Sequence, residues 1–157
     1  MKTVVQMSDS KNIIKNLPEN EAQEYADLEL ADELSNMQRL VTGDFLNFVK
    51  YMWPDFIEGK HHRDIGQKFN DLATGKINRL IVNMPPRHTK SEFASYFLPA
   101  WMIGKNPNLK IIQATHTADL AIDFGRKTKN LVDDEKYHEM FDTRLQEDSQ
   151  AAGKWKT

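Results

Sequence analysis

At 157 residues the chain has the length of one domain and is long enough to bury a core. Its hydrophobic content is 39%, its charged content 28%, and it has no cysteine, which excludes a disulfide framework and a thiolate metal site. No stretch approaches the ~20 apolar residues of a membrane span and no basic-then-apolar leader opens the chain, so the expectation is a soluble, intracellular protein. The net charge of −2 is unevenly divided: residues 1–44 carry nine acidic and four basic side chains, net −5, and residues 45–157 are net +3. Neither value is the strong basic footprint of a dedicated nucleic-acid binder.

Residues 1–16 are polar with little periodicity, as expected of a frayed terminus. Residues 17–38 hold Glu19, Glu21, Glu24, Asp27, Glu29, Asp32 and Glu33 with no Lys or Arg. Pro18-Glu19 or Asn20-Glu21 can start a helix whose first turn favours acids, with Tyr25, Leu28, Leu34 and Met37 as a thin apolar stripe. A solvated helix or a disordered arm is expected here, with a docking arm as the alternative.

Phe45, Phe48, Val49 and Met52 fall at i, i+3, i+4 and i+7, one face of a helix that Asp44 can cap and Pro54 must end. His61 to Leu72 is the next helix, with Ile65, Phe69 and Leu72 inward and Thr74-Gly75 as its stop. The adjacent His61 and His62 lack a third ligand at suitable spacing, which argues against zinc.

Leu80, Ile81 and Val82 form a short, β-branched apolar run and read as a buried strand. Pro85 and Pro86 stop it, since they fix φ and supply no N–H. Lys90 and Ser91 follow, and Phe93, Phe97, Trp101 and a capping Gly104 continue a helix that Pro99 should kink. Strand, tight loop, Lys-Ser, helix is the layout of a phosphate-binding P-loop. A loop feeding a helix N-terminus presents free N–H groups and a partial positive charge to phosphate. Lys90 would reach the β- and γ-phosphates of a nucleotide, and the Ser91 hydroxyl would ligate Mg²⁺. The strict pattern has Gly at the positions of Met84 and Thr89. From spacing alone, a Pro-rich turn before a helix with a solvated Lys90 and a capping Ser91 remains open.

Asn106-Pro107-Asn108 reads as a turn, and Lys110 to Thr115 as a second strand. Thr117 can cap a helix reaching Val132, with Leu120, Ala121, Phe124, Thr128 and Leu131 inward. Arg126, Lys127 and Lys129 suit its C-terminal half by charge, and DNA contact is the minority reading. Tyr137 to Phe141 is a candidate short helix before a polar tail that closes on Trp155.

The run Met84-Pro85-Pro86-Arg87-His88-Thr89-Lys90-Ser91-Glu92 resembles the variant Walker A loop of large terminase subunits, the ATP-driven motors that package DNA into tailed-phage heads. In that variant the loop reads Pro-Pro-Arg-His-(Gly/Thr)-Lys-Ser, and an extra basic residue, here Arg87, is a hallmark. The resemblance extends from about Phe45 to Thr157. It takes in Trp53-Pro54, His61-His62, the strand-helix unit after Lys110, and the closing run from Asp148 to Thr157.

The resemblance implies an α/β P-loop NTPase fold of the helicase-like, ASCE type. Residues 1–43 would be an acidic N-terminal arm, partly helical or disordered. Residues 44–157 would be the N-terminal part of the ATPase domain, an N-terminal fragment ending before the Walker B strand, with an incomplete parallel sheet. The same resemblance makes Lys90 and Arg87 catalytic, Arg87 as an arginine finger supplied in cis. Pro85, Pro86, Arg87, His88, Thr89, Lys90 and Ser91 would hold ATP, with Mg²⁺ on Ser91. His61, His62 and Gln67 match by position the element that cradles adenine in such motors, a solvated helix face being the equal alternative. The implied activity is ATP hydrolysis coupled to packaging double-stranded DNA into a procapsid. The implied partners are duplex DNA, a small terminase subunit and a portal protein, with a homo-oligomeric ring at the portal and no membrane. The setting would be the host cytoplasm, transiently on the procapsid. Two other readings stay open: a different helicase-like DNA translocase, and a non-enzymatic interaction module whose loop is a chance match.

Overall fold

The computed structural model describes residues 18–146, 150–151 and 154–157. The frayed terminus expected at residues 1–16 and part of the closing run from Asp148 lie outside the described residues. The chain divides into two compact units, Met1–Met37 and Gln38–Thr157.

In the first unit the described chain is helical. Helix α1 runs from Glu19 to Gly43 and has Glu19 and Glu21 in its first turn, where the helix dipole favours acids. Tyr25, Leu28, Leu30 and Leu34 are exposed along it. The arm boundary expected at residue 43 coincides with the end of this helix, but Gln38 to Gly43 belong to the second unit. Val41 is buried in the core there, and the Thr42 carbonyl accepts the indole N–H of Trp101 at 3.1 Å.

The second unit is a helical assembly around an aromatic core. Helix α2 (Phe45–Met52) starts at Asp44, whose carboxylate accepts the Asn47 N–H at 2.9 Å, and it stops before Pro54 as expected. Helix α3 (Lys60–Ala73) ends at Thr74, followed by Gly75 at φ 72°. A reciprocal clamp joins α2 to α3. Asn70 donates to the Asp44 carboxylate at 2.6 Å, and its own carbonyl oxygen accepts the Phe45 N–H at 2.9 Å. The Phe45 ring meets Phe69, Phe93 and Trp101 edge-on at centroid distances of 5.0, 5.3 and 5.8 Å. Such contacts add to the burial of large apolar area.

Helical structure resumes at Lys90. Helix α4 (Lys90–Glu92) passes into a π-helical turn, Phe93–Phe97, and then into α5 (Leu98–Lys105). The kink expected at Pro99 takes the form of this widened turn. Proline has no N–H for the Ser95 carbonyl, so the ladder opens there. Gly104, expected as the helix cap, lies inside α5, and Asn106 takes the cap position. A Cβ on Gly104 would stand 2.6 Å from the Phe141 ring and 2.6 Å from the Tyr137 hydroxyl, so the glycine permits close packing.

Helix α6 (Ala118–Val132) is capped by Thr117, and α7 (Glu135–Met140) by Asp134. On α6, Thr128, Leu131 and Val132 are buried, while Leu120, Ala121 and Phe124 are half-buried. The buried Tyr137 of α7 donates its hydroxyl to the Ala100 carbonyl at 2.9 Å.

The two expected strands carry no ladder. The described residues contain one sheet, an antiparallel pair of β1 (Gln150–Ala151) and β2 (Lys154–Trp155) with Gln150 opposite Trp155. From Arg79 to Met84 burial still alternates, with Leu80, Val82 and Met84 half-buried and Ile81 86% exposed. In the second stretch Gln113 is half-buried and Ile112 is 94% exposed. Side-chain alternation comes from the chain's own apolar pattern, whereas a ladder needs a neighbour for each N–H and C=O. No parallel sheet therefore forms among the described residues. No described helix is long and apolar enough to cross a membrane.

Candidate functional site

The loop from Met84 to Ser91 leads from the alternating segment Arg79–Met84 into α4. Pro85, Pro86, Arg87, His88 and Ser91 are exposed, and Thr89 and Lys90 are half-buried. Arg87 at φ 64° and Thr89 at φ 59° are the described non-glycine residues in the left-handed region. Thr89 is the N-cap of α4, and its carbonyl accepts the Phe93 N–H at 2.9 Å. A left-handed residue followed directly by a right-handed helix turns successive N–H groups toward one concavity, the backbone arrangement that binds anions.

Side chains close the loop. His88 Nδ1 donates to the Pro86 carbonyl at 2.9 Å. The Lys90 ammonium reaches back to the Met84 carbonyl at 3.5 Å, so it spans the loop from end to start. Arg87 makes no hydrogen bond or ion pair with a described residue. Glu92, five residues on, pairs with Lys127 at 3.4 Å.

The histidine element of α3 meets this loop. His62 is buried, 6% exposed, with its ring centroid 4.8 Å from Phe56, 5.2 Å from Phe93 and 3.8 Å from His61. Its Nδ1 accepts the Gly59 N–H at 2.8 Å, and its Nε2 lies 2.9 Å from the Thr89 hydroxyl oxygen. Burial, reinforced by the charge of His61, lowers the His62 pKa below the ordinary histidine value. His61 is exposed, 5.6 Å from the His88 ring. Gln67 is not brought to the loop with these residues. Five positions beyond His62 it lies about 140° around the helix, and its amide approaches Asp71 at 3.4 Å.

Of the residues expected to form the site, His61, His62, His88 and Thr89 therefore converge, while the Lys90 side chain reaches back to Met84. Ser91 is the second residue of the helix that Lys90 opens, and Gln67 faces elsewhere. The His62–Thr89 link was not anticipated. The available signal was Thr89 itself, a β-branched residue where the strict pattern has glycine. No described group of three His, Asp or Glu side chains has metal-binding geometry. The basic residues of α6 are engaged: Arg126 pairs with Asp123 at 3.5 Å and Lys127 with Glu92. No protein-family model, curated protein or solved structure matches this chain.

Proposed function

We propose that the loop Met84–Ser91 binds the triphosphate of ATP, within the ATPase domain of a DNA-packaging motor of the large-terminase type. The observation that carries the phosphate reading is the backbone at Thr89. It is left-handed at φ 59° at the glycine position of the phosphate-loop pattern, and a helix opens on the next residue. Lys90 already bridges the loop, and on binding it would exchange the Met84 carbonyl for phosphate oxygens. The exposed Ser91 hydroxyl fits a Mg²⁺ ion held mainly by phosphate and water. Bound there, the ion would neutralise charge on the phosphates.

The reaction is attack of water on the γ-phosphorus with release of ADP. Arg87, exposed and unpaired among the described residues, would meet charge developing on the transferred group. The motor reading rests on the resemblance of the loop and its flanks. It carries the partners with it: duplex DNA, a small terminase subunit, a portal protein, and a ring of copies on the procapsid in the host cytoplasm.

Titration of a fluorescent ATP analogue with Mg²⁺ tests the phosphate reading. Lys90→Ala removes a charge-assisted contact and should cost about 1.5–3 kcal/mol of binding. Equal affinity for wild type and variant would sink the assignment.

A further inference from the structure

We propose that His62 is a positioning residue for the phosphate loop, holding Thr89 in the left-handed conformation that the phosphate-loop pattern ordinarily assigns to glycine. The consequence for nucleotide binding rests on the function proposed above. The hydrogen-bond geometry does not.

Thr89 adopts φ 59° and ψ 6°. For an L-residue this region is disfavoured, and a β-branched side chain is a genuine outlier there. Such a conformation persists only where surrounding structure over-determines it. The Thr89 hydroxyl supplies that constraint. It donates to the His88 carbonyl at 2.6 Å and lies 2.9 Å from His62 Nε2.

The proton inventory fixes the direction of the second bond. The Gly59 N–H donates to His62 Nδ1, so that nitrogen is the unprotonated one and Nε2 carries the hydrogen. The Thr89 proton is committed to the His88 carbonyl, so Nε2–H donates to the Thr89 oxygen. The chain of donors runs from Gly59 through His62 to Thr89 and ends on the His88 carbonyl, which accepts. His62 is itself immobilised, since Phe56 and Phe93 pack on its ring and the first turn of α3 holds its backbone.

The imidazole thus does from outside the loop what a glycine would do from within it. Lys90 and Ser91 follow Thr89 directly, so their orientation inherits this constraint. His62 on this account does not stack on a nucleotide base. It shapes the loop that takes the phosphates.

The test uses the 157-residue chain in five forms: wild type, His62→Ala, Thr89→Val, Thr89→Gly, and Thr89→Gly combined with His62→Ala. Val keeps the β-branched shape and the His62 packing but removes the hydroxyl. Thr89→Val should bind a fluorescent ATP analogue about tenfold more weakly, the worth of one good hydrogen bond. Thr89→Gly should bind more tightly than Thr89→Val, because glycine adopts the conformation unaided. Adding His62→Ala to Thr89→Gly should cost less than adding it to wild type. Thr89→Val binding as tightly as wild type, or an equal cost of His62→Ala in both backgrounds, overturns the proposal. If wild type binds no nucleotide, the ATP reading has failed, and thermal unfolding of the same proteins decides the positioning role. His62→Ala must then lower the midpoint more with Thr89 present than with Thr89→Gly, and equal shifts overturn it.

Discussion

The side-chain amide of Gln113 donates to the main-chain carbonyl of Ser95 at 2.6 Å. That carbonyl is the one a regular helix would bond to the N–H of residue 99, which proline lacks. The Thr128 hydroxyl approaches the same oxygen at 3.4 Å. The π-helical turn, the segment Lys110–Thr115 and helix α6 are therefore tied together at the Ser95 carbonyl. Gln113→Leu removes the better donor and leaves a half-buried carbonyl under-satisfied. The expected cost is about 1–3 kcal/mol, a fall in unfolding midpoint of about 2–4 °C per kcal/mol. Pro99→Ala supplies the missing N–H, so the cost of Gln113→Leu should shrink in that background. A double-mutant cycle by chemical denaturation measures this coupling. Strict additivity would show that the Gln113 bond does not compensate for proline.

Gly104 gives a sharper packing test. In an exposed helix Ala is preferred over Gly by roughly 0.5–1 kcal/mol, so a surface glycine would be improved by substitution. Here the added methyl would stand 2.6 Å from both the Phe141 ring and the Tyr137 hydroxyl. Overpacking of a dense core costs about 1–3 kcal/mol, more than the propensity gain. Gly104→Ala should therefore destabilise, seen as a lower denaturant midpoint with an unchanged slope. A stabilised variant would mean that α5 and α7 do not approach as closely as this.

Much of the helical layout was legible because amphipathic periodicity and caps are local. Asp44, Thr117 and Gly75 mark their ends through their own side chain or backbone freedom. Gly104 misled because a glycine near a helix end looks the same whether it serves a left-handed cap or a close approach. The strands misled for a different reason. Leu80–Val82 and Lys110–Thr115 have strand composition, but pairing is a property of two segments, and none of the described chain supplies their partner. In the loop, the start of a helix at Lys90 was readable from spacing. The role of His62 was not, because it depends on a contact spanning 27 residues and on a φ value that no composition encodes.

The neutral state of His62 carries a pH dependence whose sign follows from its surroundings. Burial is the largest cause lowering its pKa, the positive charge of His61 adds to it, Glu58 opposes, and His88 lowers it further. Glu58 is itself paired with Lys50 and Arg63, which limits its pull. A histidine with a depressed folded pKa contributes stability that is complete above the ordinary value of about 6.5 and is lost as pH falls below it. Protonation at Nδ1 would also turn the acceptor of the Gly59 N–H into a donor. Stability should therefore fall from pH 7 toward pH 5, with a shallower fall in His62→Gln, whose amide does not titrate. A titration of the His62 ring proton by NMR should show a midpoint below that of an exposed histidine. A midpoint at or above about 6.5 would contradict the burial of a neutral imidazole.

Arg87 combines strain with exposure. It sits at φ 64°, in the region where a side chain costs roughly 1–2 kcal/mol, and makes no bond with a described residue that would offset this. Strain of this kind concentrates at functional sites. If the residue is present for its guanidinium, removing it should divide stability from activity. Arg87→Gly relieves the backbone and should stabilise the fold, though the greater freedom of glycine in the unfolded chain reduces the gain to about 0.5–1 kcal/mol. On the function proposed above, ATP turnover with Arg87→Gly should fall by about 10³ or more, with ATP affinity little changed, because the contact would form as charge develops on the γ-phosphate. Arg87→Lys then separates geometry from charge. Lysine keeps one positive charge and loses the planar fork of donors, so it should recover little of the lost rate. Wild-type turnover in Arg87→Gly would leave the arginine with no catalytic part. Wild-type turnover in Arg87→Lys would reduce its part to a generic positive charge.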